Sequence, residues 1–487
     1  MMNQTNHKKA GLADIFKYAV GEGATSITMN GISNFAMVYL TQILSLAPTW
    51  AALAIGISIF WDAVTDPIMG HISDNTRSRW GRRHPYSLIG GLFTAVTFFL
   101  FWSVPQMLNG PVIIFFMALI INLLIRTAVT VFFVPFTALG FDICPEYESR
   151  SRLQGVRYFI NQIVNFTFGA LAWTLFFKDH ITETGKRIDG SLIGSNYVVM
   201  GFVLAIFVAL LASVCCFGTR NYAVDNRKEQ VHGKRLADFW VDFSSIFKNR
   251  LAIRVFVFYI IVQFSMLLTS MVQMFAYIFY MQFTPLEKTC VHGGGMLAFA
   301  LASLNLPHIV KRYDKKPAGY IGIGLAVFGG LSLLTVFHGG QLAPQQTIEF
   351  SGITFPVATI VFGLLQACWW GGCGMIVPLS SSMIADIAAI DQSRTGELKN
   401  AGYASVFSFC TKAASSIGMY ICGFLVQIAG IISGATEQTP EAVSNIALLT
   451  FISGPIVIFC SVFVLRKYPV NRAYMQQIEQ RIAANNG

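Results

Sequence analysis

The chain has 487 residues, of which 54% are hydrophobic and 12% charged, and its net charge is +10. Soluble proteins carry about 25% charged residues, so a soluble enzyme of this length would lack a charged skin. The composition excludes a cytoplasmic enzyme, a nucleic-acid reader and a disordered scaffold, and it points to a membrane protein whose basic excess lies in cytoplasmic loops.

A membrane-crossing helix needs about 20 mainly apolar residues. The residues up to Lys17 are polar, and the apolar run behind them is too long for a signal-peptide core, so no cleavage is expected. No charge lies between Glu22 and Asp62, which leaves room for spans over 19–46 and 49–72 broken near Ala47-Pro48. Spans over 85–105, 111–140, 155–177 and 196–217 follow. After the polar stretch from Gly218 to Arg250, six more are predicted over 252–283, 290–310, 317–338, 353–383, 402–431 and 444–465. Pro105 to Pro111, Thr284-Pro285 and Lys316-Pro317 punctuate them. The nine cysteines fall mostly inside apolar runs and read as free thiols; Cys290 alone reads as part of a connection.

The expected architecture is an all-α membrane protein of twelve transmembrane helices with both termini cytoplasmic. It comprises a six-helix bundle over 1–217, a cytoplasmic linker over 218–251, a second six-helix bundle over 252–466 and a cytoplasmic tail over 467–487. Charge counting agrees with this orientation. Of the 34 Lys and Arg, 28 fall on the side it makes cytoplasmic. Only 4 (Lys178, Lys186, Arg187 and Lys288) fall in the opposite loops, and 2 (Arg126 and Lys412) fall inside spans. The halves echo each other. Asp74 to Pro85 follows the second span as Lys311 to Pro317 follows the eighth, and Asp142, Glu146 and Arg150 follow the fourth as Asp386, Asp391 and Arg394 follow the tenth. Two six-helix halves with matching loop chemistry are the pattern of a parallel-repeat transporter.

Asp62 and Asp66 are four residues apart and so share one helix face. A charge at mid-bilayer costs about 2.5–3.5 kcal/mol even on mild scales, and two like charges a turn apart repel. Such a pair is tolerated when a cation, a proton or a basic side chain neutralises it. Pro67 lacks an N–H and frees the carbonyl of Ala63, either as a kink or as a further ion ligand. Lys412, deep in the eleventh span, needs a partner, and Arg126 is expected to pair with Glu22 or Asp66 or to bind an anionic substrate group such as a uronide. A sugar site combines aromatic platforms with polar side chains. Candidates on spans are Asn30, Asn34, Tyr39, Asn161, Gln162, Asn165, Trp173, Gln273, Gln366, Trp369 and Trp370.

The stretch Trp61-Asp62-Ala63-Val64-Thr65-Asp66-Pro67-Ile68-Met69-Gly70, continuing through Ser73-Asp74-Asn75-Thr76-Arg77-Ser78-Arg79-Trp80-Gly81-Arg82-Arg83, resembles the glycoside–pentoside–hexuronide:cation symporter family, a branch of the major facilitator superfamily. Tyr18 to Gly23, Pro135 to Leu139, Glu146 to Arg150, Ser382 to Asp386, Thr395 to Glu397 and Val406 to Lys412 extend the likeness over nearly the whole chain. The resemblance implies the major facilitator fold and symport of a sugar or glycoside with Na⁺ or H⁺ by alternating access. It implies a cation site at Asp62, Asp66 and Thr130 and substrate contacts that include Glu22, Arg157 and Lys412. It also implies conformational ion pairs among Asp74, Arg79, Arg83 and Lys412. The chain departs from the pattern where Phe133 replaces a fourth-helix aspartate and Ser26 a first-helix one, with Glu22 a turn earlier. Na⁺ and H⁺ therefore both remain open. The expected partners are the sugar, a monovalent cation and membrane lipid, with no nucleic acid, no cofactor beyond the coupling ion and a monomeric chain in the cell (inner) membrane. An uncoupled facilitator and a membrane-embedded enzyme are the rival readings, and no nucleophile or acid–base cluster at an interface supports the second.

Overall fold

The computed structural model describes residues 11–104, 110–144, 147–222, 244–350, 353–395 and 400–486. Glu146, Gly396, Glu397, Lys399, most of the 218–251 linker and the side chains of Asp142, Glu148 and Arg150 lie outside the described residues. The helices in chain order are α1 (Leu12–Val38), α2 (Pro48–Asn75), α3 (His84–Trp102), α4 (Pro111–Ile143), α5 (Tyr147–Phe176) and α6 (Gly194–Gly218). They continue as α7 (Arg250–Phe275), α8 (Pro285–Tyr313), α9 (Lys315–Leu333), α10 (Val357–Thr395), α11 (Asn400–Ile428), α12 (Pro440–Arg466) and the tail helix α13 (Arg472–Asn486). Two short antiparallel hairpins, His180–Ile181 with Arg187–Ile188 and Ile348–Phe350 with Ile353–Phe355, sit in the connections after α5 and α9.

Among the described residues, ten helices are long and apolar enough to cross a membrane, against the twelve expected. The ten do not include α1 and α5. Both carry polar side chains that face each other across the bundle: Ser26 and Asn30 on α1 meet Asn161 and Asn165 on α5. Their polarity is spent on each other, which a hydropathy average cannot register.

Packing repeats with a shift of six helices. In the first six, α1 packs on α5 and α6, α3 on α4 and α6, and α2 on α4. In the last six, α7 packs on α11 and α12, α9 on α10 and α12, and α8 on α10. The two sets meet through α2 against α11 and α5 against α8, which are themselves equivalent pairs under the shift. Backbone detail repeats as well. Helix α1 widens into a π-turn at Tyr39–Ile43, passes through Ser45 at φ 55°, and the chain re-enters helix at Pro48. Helix α7 widens into a π-turn at Ala276–Tyr280, passes through Gln282 at φ 49°, and re-enters at Pro285. In both, Pro occupies the first helical position, where its missing N–H costs nothing.

The α2–α11 contact is a seam of small residues, which lets backbones approach closely. A Cβ on Gly423 would lie 2.2 Å from Ala52 Cβ and 2.6 Å from the Pro48 carbonyl oxygen. Ser416 Oγ donates to the Gly56 carbonyl at 2.7 Å. Overpacking costs about 1–3 kcal/mol, so Gly423→Leu is expected to pry this seam apart. Faster labelling of a cysteine at Thr49, which bonds Gln427 across the seam, checks this.

Two residues read as part of one connection prove to be helical. Lys288 and Cys290 lie in the first two turns of α8. That helix starts at Pro285 because Thr284 accepts from the Glu287 N–H while Glu287 reaches back to the Thr284 N–H, a capping box. The tail helix, read from sequence as helix-prone only, is docked. Its Arg472 N–H donates to Asp314 Oδ2 at 3.0 Å, and Ile478 is buried.

Candidate cation and substrate site

Helix α2 brings Asp62 and Asp66 onto the face that meets α4 and α11 and stays helical through Pro67. Asp62 is buried at 7% exposure. Thr130 on α4 places its Oγ1 2.8 Å from Asp62 Oδ1 and 3.0 Å from Asp66 Oδ1. A hydroxyl carries one proton, so it satisfies one carboxylate at a time. The second oxygen contact lacks a hydrogen unless one carboxyl is itself protonated. Lys412 on α11 reaches across from the other half: its Nζ lies 2.9 Å from Asp62 Oδ2 and also bonds Asp66 Oδ2. The ammonium thus sits between the two carboxylates.

Arg126 on α4 adds a second positive charge. Its Nη1 is 3.7 Å from Asp62 Oδ2 and 3.4 Å from Met29 Sδ, and its Nε is buried without a hydrogen-bond partner. This corrects the expected pairing with Glu22 or Asp66. Glu22 is taken by Arg157 instead, whose Nε and Nη2 donate to Glu22 Oε2 at 2.9 and 2.6 Å. That guanidinium also lies 4.9 Å from the Phe136 ring centre. Two carboxylates and two basic groups surround Thr130, so this cluster is close to neutral without any bound ion.

Beside it, α1 and α5 form a ladder of amides. Asn161 Nδ2 donates to Ser26 Oγ at 2.7 Å, Asn165 Nδ2 to Asn161 Oδ1 at 3.0 Å, and Asn30 Nδ2 to both the Ser26 carbonyl and Asn165 Oδ1. Asn34, a turn further along α1, is half-buried. The aromatic candidates divide differently. Trp370 is buried at 4% exposure against Gly295 of α8, and Tyr39 packs among Phe101, Trp102 and Tyr197. Gln273 and Gln366 bond each other within the last six helices, where Tyr277 donates to Gln366 at 2.7 Å. In the α2–α3 connection Arg83 pairs with Asp74 at 3.2 Å, and Arg79 has no carboxylate partner among the described residues.

Sequence reasoning missed the second polar junction between the halves. Lys288, 1% exposed on α8, bonds Asp189 Oδ2 at 2.5 Å in the α5–α6 connection and lies 5.0 Å from the Trp173 ring centre. Trp173 therefore serves this junction. Arg187 donates to the carbonyls of Gln282 and Phe283 at 3.1 and 2.9 Å, and Thr174 meets Thr289 at 2.7 Å. Ser433 and Gly434, beyond α11, bond the carbonyls of Leu46 and Thr41. Among the described residues, polar contacts between the halves concentrate at this end, where α1 turns into α2. Burial raises the Asp189 pKa, but the Lys288 ammonium and the Ser191 hydrogen bonds outweigh it, so the carboxyl is held below its ordinary value. The signal that could have revealed Lys288 is Thr284-Pro-Leu-Glu287, a capping-box sequence that puts it on a helix.

Residues 17–472 match the family described as MFS/sugar transport protein. The chain is 21% identical to the sodium-dependent lysophosphatidylcholine symporter 1 of Xenopus tropicalis over 94% of this chain and 87% of that one. It is 22% identical to the inner membrane symporter YicJ of Escherichia coli over 96% and 94%. It is 23% identical to the isoprimeverose transporter of Lactiplantibacillus pentosus over 97% and 92%. Among solved structures, the nucleoside transporter NupG superposes with a TM-score of 0.62 at 12% identity, covering 93% of this chain and 99% of that one. A bacterial homologue of the iron transporter ferroportin, in an inward-facing state, superposes with a TM-score of 0.64 at 11% identity, covering 94% and 99%. These likenesses establish the major facilitator fold of a multi-pass membrane transporter, and the chain belongs to the MFS/sugar transport protein family, in its glycoside–pentoside–hexuronide:cation symporter branch.

Proposed function

We propose that the protein is a secondary transporter that couples movement of a sugar or glycoside to a monovalent cation, and that two six-helix bundles rock about the site between them. The observation that carries this reading is the Lys412 ammonium held by Asp62 and Asp66 across the α2–α11 seam. The reading makes that contact exchangeable: a Na⁺ or H⁺ arriving at the carboxylates releases Lys412, and the seam between the halves loosens. The missing hydrogen between Thr130 and the second carboxylate favours H⁺, since a protonated carboxyl supplies it. The amide ladder of Asn30, Asn161 and Asn165, with Glu22–Arg157 beside it, offers the donors and acceptors that ring hydroxyls require. The concentration of inter-half contacts at the α1–α2 end, with the charge count, corresponds to a state closed to the outside. The symporter names among the relatives, one of them of an inner membrane, support both the coupling and the membrane.

One observation favours an uncoupled facilitator as second reading: the cluster around Thr130 is already balanced by Lys412 and Arg126. A thermal-shift screen of the purified protein with pentosides, uronides, neutral glycosides and lysophosphatidylcholine, at two pH values with and without Na⁺, separates the cases. Symport requires that the stabilising ligand bind more tightly with one of the two ions. Stabilisation indifferent to both ions supports the facilitator, and stabilisation by the lysophospholipid alone contradicts the sugar.

A further inference from the structure

At the end of the bundle that the charge count makes cytoplasmic, a cavity of about 150 Å³ opens between the α2–α3 connection and the C-terminal end of α6. Arg79, Trp80, His84, Cys216, Phe217 and Arg220 line it. Its floor is fixed: buried His84 places Nε2 3.1 Å from Thr219 Oγ1 and 3.2 Å from the Thr219 carbonyl, and Cys216 Sγ lies 3.6 Å from the His84 carbonyl. Its charge is not balanced from within, because among the described residues neither Arg79 nor Arg220 has a carboxylate partner, while neighbouring Arg83 is taken by Asp74.

The equivalent place in the last six helices differs. There the α8–α9 connection meets the end of α12. Lys316 Nζ donates to the carbonyls of Arg466 and Tyr468 at 2.7 and 3.3 Å, Lys315 pairs with Asp386 at 2.6 Å, and Arg472 covers the carbonyls of Val310 and Lys311. On that side Lys315, Lys316 and Arg472 are met by the chain's own carboxylate and carbonyls. On the α2–α3 side neither guanidinium has a carboxylate partner among the described residues. Beside them rises an apolar wall: Phe217 is 58% exposed, Val214 41% and Ile89 64%, with Trp80 40% exposed at the rim.

We propose that this cavity binds the phosphate of an anionic phospholipid. Arg79 and Arg220 clamp the phosphate oxygens, each guanidinium offering paired donors to them. Trp80 lies at headgroup level, and the acyl chains follow Phe217, Val214 and Ile89 along α6 and α3. The apolar wall is what selects a lipid over free phosphate, since a soluble anion gains nothing from it.

Native mass spectrometry of the full-length detergent-purified protein, titrated with phosphatidylglycerol or phosphatidylcholine, tests this against the double variant Arg79→Gln/Arg220→Gln. An equally discharged control, Arg77→Gln/Arg152→Gln, removes two exposed charges that do not line the cavity. The expected result is one tightly held phosphatidylglycerol on the native protein and the control, at least tenfold weaker in the double variant, with phosphatidylcholine unaffected. A parallel thermal-shift titration with inorganic phosphate is expected to be flat to millimolar concentration. Equal phosphatidylglycerol binding by native protein and double variant, equal loss in the control, or saturable stabilisation by inorganic phosphate that the double variant abolishes would each overturn the assignment.

Discussion

Asp66→Asn, and separately Asp62→Asn, is expected to abolish ion-driven accumulation in vesicles while substrate exchange between the two faces survives. Each substitution removes one of two carboxylates and leaves Lys412 and Arg126 in place, so the cluster changes from near neutral to net positive. A positive cluster repels an arriving cation, and Lys412 keeps a single partner. Leaving a buried charge short of its partner costs about 3–5 kcal/mol, and each 1.4 kcal/mol is about tenfold. Accumulation should therefore fall by roughly a hundredfold or more. Exchange needs no net ion movement and does not depend on that balance. Full accumulation by both variants would contradict the role given to the pair.

Lys288→Met is expected to open the opposite junction. The Lys288–Asp189 pair joins α8 to the α5–α6 connection, with both side chains almost fully covered. Removing the ammonium strands Asp189 in a buried position, again at about 3–5 kcal/mol, and separating the halves at this end is the direct way to rehydrate it. Cysteines at Thr174 and Thr289, whose hydroxyls are 2.7 Å apart, report closure by disulfide formation in a background lacking the nine native cysteines. Cross-linking should collapse in Lys288→Met and recover in Lys288→Met/Asp189→Leu, because an apolar pair of similar volume replaces a buried ion pair at little net cost. The pH dependence has a defined sign. A carboxyl held below its ordinary value contributes stability above its unfolded pKa of about 3.9, and that contribution is lost only as pH falls through the lower folded value. Closure of this junction, read by a distance probe because thiol oxidation itself slows as the thiolate is lost, should thus be flat from pH 8 to pH 5 and weaken only in stronger acid. A native-like yield in the single variant would show that the pair does not hold the halves together.

Particular residues show what a sequence reading can and cannot reach. Hydropathy located the middle of each long apolar helix, because burying about 20 apolar residues in lipid leaves few alternatives. The spans read over 19–46 and 155–177 coincide with helices α1 and α5, whose Asn30 and Asn161 lower the hydropathy average but are satisfied by a neighbouring helix. Hydropathy failed at the start of α8, where the capping box Thr284–Glu287 precedes the apolar run read from residue 290. Asp62, Asp66 and Lys412 stood out because an intramembrane charge needs a reason to exist, and the structure brings all three together. Pairing among the remaining charges was not legible. Whether Arg126 or Arg157 takes Glu22 depends on how α4 and α5 are rotated against α1, and composition and spacing carry no such information. The π-turns after α1 and α7 escaped for a related reason: they are set by packing, and only the prolines that follow them are written in the sequence.

The most direct test is the charge that moves when substrate is added. On a supported membrane carrying the purified transporter, addition of a transported glycoside is expected to trigger a transient current that depends on either Na⁺ or pH and disappears in Asp62→Asn/Asp66→Asn. Substrate flux of native size with no current under either ion gradient, and no change in the double variant, would contradict the exchange of Lys412 for a mobile cation.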